Sequence, residues 1–90
     1  MNPLLRNQYI KIMSKLQDKR KAFGASQAEL ADLSGVSKRM IQDYEHEDRD
    51  INGAKLLTLL KLCNAMGCRL EDILDDPETL EELEKYNEGK

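Results

Sequence analysis

Apolar residues recur along this chain at steps of three and four, in runs closed by single glycines and opened by serine, asparagine or aspartate. Side chains at those steps share one face of a helix, so each run predicts an amphipathic helix. Asn2 before Pro3 makes a helix start, and Leu5, Tyr9, Ile12, Met13, Leu16 and Phe23 carry one face to Gly24. That is a first helix of about 20 residues. Ser26, with Glu29 three positions on, has the form of a capping box, so a second helix begins at Gln27 with Leu30, Ala31 and Ser34 inward. Gly35 supplies the turn, Val36 packs beneath it, and Ser37 caps a third helix from Lys38 to about Glu45.

After a charged loop from His46 to Ile51, Asn52 is expected to cap a fourth helix. Leu56, Leu59, Leu60, Cys63 and Met66 form its stripe, and Gly67 closes it. Leu70, Ile73 and Leu74 mark a short fifth helix. Asp76 and Pro77 then start an acidic terminal helix with Leu80, Leu83 and Tyr86 on one narrow face. The expected fold is all-α: a compact five-helix domain over residues 1–75, of which 1–11 are a helical extension, followed by an acidic helix or tail over 76–90.

On the third helix, Ile41 and Tyr44 fall on one face, and Arg39, Gln42, Asp43 and His46 on the opposite one, with Lys38 at the flank of the first turn. A short helix with an apolar inner face and hydrogen-bonding outer one, crossed by a partner after a glycine turn, has the geometry of a helix-turn-helix. In that motif the second helix enters the major groove and its first residues meet base edges.

At these residues the chain resembles the phage-repressor or Cro-like helix-turn-helix domains, also called the xenobiotic-response-element type, and the expected fold is lambda-repressor-like. The matching positions are Arg20, Ser26 through Ala31, Gly35-Val36-Ser37, Ile41, Glu45, Leu59 through Leu62, Met66-Gly67 and Leu70 through Leu74. They span roughly residues 12 to 74, and their ordered spacing is more specific than a lone glycine turn between helices. Family members usually begin near Ile12, which makes residues 1–11 an extension whose Leu4, Leu5 and Tyr9 cover the core or meet another subunit.

Chemistry assigns provisional roles on this frame. Arg39 can donate two bonds to guanine, Lys38 is a mobile point charge, and Gln42 can pair with an adenine edge. Asp43 departs from the family pattern; it either accepts from cytosine N4 or holds Arg39, one turn back. The resemblance implies that Gln27 touches a phosphate. Ser37 can add its hydroxyl at a helix N-terminus, and His46 is either a phosphate contact or simply exposed. Arg20 and Glu45 match a pair that braces the first and recognition helices in the family, with Arg20 also within range of a phosphate. The loop His46-Glu47-Asp48-Arg49-Asp50 is a second departure, since the family often has Asn-Gly and then basic residues there. Its three acids weaken phosphate contact.

Composition narrows the picture. Ninety residues suit one domain. The net charge of -3 at first opposes duplex binding, but residues 1–45 hold eight basic and five acidic side chains, a balance of +3, while residues 46–90 hold six basic and twelve acidic, or -6. No run reaches the roughly 18 apolar residues of a membrane span, and the N-terminus lacks the pattern of a secretory signal, so a cytoplasmic protein is expected. Cys63 and Cys68, with one distant histidine, do not make a metal cluster, and free thiols packed as small hydrophobes are expected. One histidine, no glycine-rich phosphate loop and no paired nucleophile and base imply no enzyme and no cofactor.

The leading expectation is a sequence-specific DNA-binding transcriptional regulator of bacterial or phage repressor type. It would act as a homodimer that presents two recognition helices ~34 Å apart to a two-fold operator. The competing expectation is an antitoxin-like interaction module, in which the acidic terminal segment or the N-terminal extension neutralises a protein partner and DNA binding serves autoregulation. A domain that has kept the fold and lost DNA binding ranks third, on the strength of the acids at 43, 47, 48 and 50.

Overall fold

A computed structural model of the chain describes residues 13–89. Among these residues are five α-helices: α1 (Lys15–Phe23), α2 (Gln27–Ser34), α3 (Lys38–Glu45), α4 (Leu56–Met66) and α5 (Pro77–Glu88), with 3-10 turns at Ile51–Gly53 and Leu70–Asp72. Local chemistry accounts for most of the boundaries. The Ser26 hydroxyl accepts from the Glu29 amide at 3.0 Å while the Glu29 carboxylate accepts from the Ser26 amide at 2.8 Å, a complete capping box. The Ser37 hydroxyl accepts from the Met40 amide at 3.1 Å, and Asp76 does the same for Thr79 ahead of Pro77. Gly24, Gly35 and Gly67 end α1, α2 and α4 in the left-handed conformation, Gly35 at φ 76°.

The core is where these helices cross. Leu16, Leu30, Ile41, Leu62 and Ile73 are each at most 1% exposed. They come from four helices and the last 3-10 turn region, so no pair of elements makes the core alone. α2 lies against both α3 and α4, with Ala31 half-buried at the crossing, and Val36 packs under the turn. Cys63 is buried and Cys68 half-buried, and both are free. Burial pushes the Cys63 thiol up to about 12 and raises Cys68 as well, so both stay neutral, packed thiols at physiological pH.

Four sequence expectations change. The first helix does not run unbroken from Pro3, because Ser14 adopts an extended conformation and its hydroxyl accepts from the Gln17 backbone amide at 3.0 Å, so that the described helix begins at Lys15. Of the apolar face drawn through that stretch, Leu16 is core, whereas Met13 and Phe23 are 42% and 45% exposed. Leu4, Leu5, Tyr9 and Ile12, with the proposed extension 1–11, lie outside the described residues.

Secondly, Asn52 does not cap α4. Its amide instead accepts from the Asp75 and Asp76 backbone N–H groups at 3.0 Å each and donates to the Asp75 and Asp50 carboxylates at 2.7 and 2.9 Å. Thirdly, the expected fifth helix is one 3-10 turn. The Lys15 ammonium donates to the carbonyls of Glu71 at 2.7 Å and Leu74 at 2.5 Å, and Asn52 takes the amides of Asp75 and Asp76. The groups that would propagate a helix past Ile73 are therefore already bonded elsewhere. Finally, the buried stripe of α4 is Leu59, Leu62, Cys63 and Met66; Leu56 and Leu60 lie outside it and are exposed.

Candidate nucleic-acid interface

α3 is held by its inner face. Ile41 is fully buried and Tyr44 is 5% exposed, which fixes the rotation of the helix about its axis. Glu45, at its last turn, is also fully buried and accepts a two-pronged bond from Arg20: Nε to Oε2 at 2.7 Å and Nη2 to Oε1 at 2.9 Å. The third guanidinium nitrogen donates to the Ala25 carbonyl at 3.0 Å, between α1 and α2. One ion pair thus ties α1, the α1–α2 corner and α3 together. The hydrogen bond to Glu45 raises the Arg20 pKa still further, so the charge is permanent.

The polar run continues towards solvent. Gln27 Nε2 donates to Glu45 Oε1 at 3.0 Å, and Gln27 Oε1 accepts from Gln42 Nε2 at 3.4 Å. Gln42 keeps one N–H and its carbonyl oxygen unengaged by that bond, the donor and acceptor an adenine edge can take. Gln27 and Gln42 are both half-buried, so a chain of side chains leads from the buried Arg20 to the outward face.

Lys38 and Arg39 stand exposed at the first turn, the Arg39 side chain 83% so. Asp43 lies one turn on with its side chain only 18% exposed, and its Oδ1 is 3.5 Å from Arg39 Nε. His46 is the C-terminal cap position, exposed, with its backbone N–H on the Gln42 carbonyl at 2.9 Å. The seven expected DNA-facing residues therefore fall into two groups. Lys38, Arg39, Ser37 and His46 are exposed, while Gln27, Gln42 and Asp43 are half-buried and held by neighbours.

One side chain at this face was passed over in the sequence. Arg49, in the loop after α3, returns to place its Nε 3.2 Å from Asp43 Oδ2. Its only signal in the sequence was that it is the lone cation among three acids at 47, 48 and 50. The return depends on Glu47, which adopts φ 61°, the left-handed region where the resembling family often carries glycine. Holding a glutamate there costs about 1 kcal/mol. Glu47→Asn, with a side chain that tolerates this conformation, is expected to raise stability by about 0.5 kcal/mol. In urea unfolding the midpoint should rise at unchanged slope; an unchanged or lower midpoint would show that the turn is not strained.

Among the described residues no group of three or more metal-ligating side chains is gathered, and no helix is long and apolar enough to cross a membrane. No match was found among curated proteins or solved structures. A family model described as helix-turn-helix matches residues 16–73, well over half the chain and the stretch that holds α1 to the last 3-10 turn. The chain belongs to the lambda-repressor-like, xenobiotic-response-element type of helix-turn-helix family, and is a helix-turn-helix DNA-binding regulator.

Proposed function

We propose that the protein is a repressor-type regulator that binds a two-fold operator as a homodimer, each copy laying α3 in a major groove. The observation that carries this is the outward face of α3: Lys38, Arg39 and Gln42 project from a helix whose opposite face is fully seated in the core. In this reading Arg39 meets guanine and Gln42 meets adenine. Lys38 supports at the flank, and Ser37, Gln27 and His46 lie along the backbone, where contacts set register without reading sequence. Asp43 serves Arg39 and does not itself read a base. The acids at 47, 48 and 50 repel phosphate, so a single domain binds modestly and pairing supplies the remainder.

Selection of bound sequences from a random duplex pool, followed by titration at several salt concentrations, tests the proposal. A two-fold motif should emerge, with half-sites one duplex turn apart. Arg39→Ala should weaken cognate binding by about 1–3 kcal/mol and relax one position of the motif. Failure to enrich any motif at low salt would sink the reading.

A second reading draws on α5. It buries none of its residues, carries glutamates at 78, 81, 82, 84 and 88, and borders a groove of about 530 Å³ lined in part by Leu80, Leu83 and Glu84. A cationic partner segment laid there would make the chain an antitoxin-like module that also controls its own operon. Co-expression with the product of an adjacent small open reading frame should then yield a complex that Leu83→Asp abolishes. A complex indifferent to Leu83, or the absence of such a reading frame, counts against it.

A further inference from the structure

An acid on a recognition helix is a liability near phosphate, yet Asp43 is the best-connected side chain on the outer face. Its backbone carbonyl accepts from the Asp48 and Arg49 amides at 2.8 and 3.2 Å, which fastens the loop to the last turns of α3. Its two carboxylate oxygens face two different arginines: Oδ2 the Nε of Arg49 at 3.2 Å, Oδ1 the Nε of Arg39 at 3.5 Å. The positive φ of Glu47 turns the chain so that Arg49 can come back to Asp43. We propose that Arg49 and Asp43 form a relay that sets the orientation of Arg39: the loop arginine holds the carboxylate, and the carboxylate holds the base-reading guanidinium.

The geometry supports a positioning role for both residues. An exposed arginine on its own samples many rotamers, and ordering them on binding weakens affinity and blurs discrimination. Here the Nε of Arg39 lies against Asp43, and an approach on that edge leaves the end-on N–H pair of the two terminal nitrogens free to donate to guanine O6 and N7. Ion pairs between fully exposed partners are weak and screened. The Asp43 side chain is 18% exposed, however, and it is shared, so withdrawing Arg49 leaves a half-buried carboxylate with one partner and freer to turn. The two arginines outnumber the carboxylate they share, so Asp43 is neutralised by its partners. Arg49 thereby affects which base is chosen without touching it.

The relay rests on α3 being the DNA-reading helix, so its test has two arms. In the first, sequence selection is repeated with Arg49→Ala and Asp43→Asn. Both are expected to relax the same motif position that Arg39→Ala relaxes, with preference there falling roughly tenfold, within the range a two-pronged base contact supplies. Asp43→Asn should also bind non-cognate duplex more tightly, since it removes a repelling charge. If Arg49→Ala instead weakens all sequences alike and lowers the salt slope by about 1, Arg49 is a plain phosphate contact and the relay is overturned. In the second arm, the Arg39 Nε–Hε resonance of the free protein is followed by NMR. It should shift on Arg49→Ala as on Asp43→Asn; indifference to Arg49 overturns the relay. Should the unaltered protein enrich no motif, the DNA reading fails on the first arm, and the relay is decided by the second alone.

Discussion

Glu45→Ala is expected to destabilise the domain by about 3–5 kcal/mol, because it leaves the Arg20 guanidinium buried opposite no carboxylate. Arg20 is 7% exposed and Glu45 fully buried, so neither can turn to water without breaking the packing between α1 and α3. The carboxylate also accepts from Gln27, so three donated bonds lose their acceptor at once. Domains of this kind are stable by only about 5–15 kcal/mol, which makes the loss a large share of the total. Urea unfolding measures it, as a lower midpoint at similar slope. The double variant Arg20→Met/Glu45→Leu should recover much of the loss, since matched apolar replacements of a buried pair are often near neutral. A loss under about 1 kcal/mol in Glu45→Ala would mean that the pair is more hydrated than its burial indicates. The same variant frees Gln27, and through it Gln42, so discrimination at the Gln42 position of any selected motif should weaken in parallel.

Ile41→Ala is the second large effect, at about 2–5 kcal/mol, with Ile41→Val costing only about 0.5–1.5. Ile41 is fully buried on the inner face of α3, and its removal opens a cavity between that helix and the core made by Leu16, Leu30 and Leu62. The cost has a functional counterpart. The roll of α3 about its axis decides where Arg39 and Gln42 point, and Ile41 with Tyr44 sets that roll. DNA selection by Ile41→Ala, at a temperature where it remains folded, should give a shallower motif across all of its positions. Thermal and urea unfolding give the stability term; a change of less than about 1 kcal/mol would place the anchor of α3 elsewhere.

Much of this architecture was legible because it is written in short-range interactions. The capping box of Ser26 and Glu29, the Ser37 cap, Asp76 before Pro77, and the glycines at 24, 35 and 67 each act within one turn. A backbone group left over at a helix end is satisfied by whichever side chain lies three or four residues away, so sequence spacing carries the answer. The outward placement of Lys38 and Arg39 follows from the helical period in the same way, as does the inward placement of Ile41 and Tyr44.

Where the reading and the structure part, the deciding contact joins residues far apart in sequence or held by an irregular loop. Lys15 ends the last turn from 56 and 59 positions away, and Asn52 takes the Asp75 and Asp76 amides from 23 and 24. Nothing in the local pattern of Leu70 to Leu74 reports those donors and acceptors. Asp43 shows the same limit at the interface. Its type and position alone left base readout and a hold on Arg39 both open, and Arg49 did not enter the choice.

The sequence by itself determined the family, the order of the helices and which face of α3 points outward, because periodicity and capping are local properties of a chain. The tertiary structure alone decided that the Asn52 amide is a cross-link and that Gln42 is steadied through Gln27 to a buried ion pair. It alone placed Arg49 beneath Asp43, because each depends on where the packed core brings distant backbone and side chains into register.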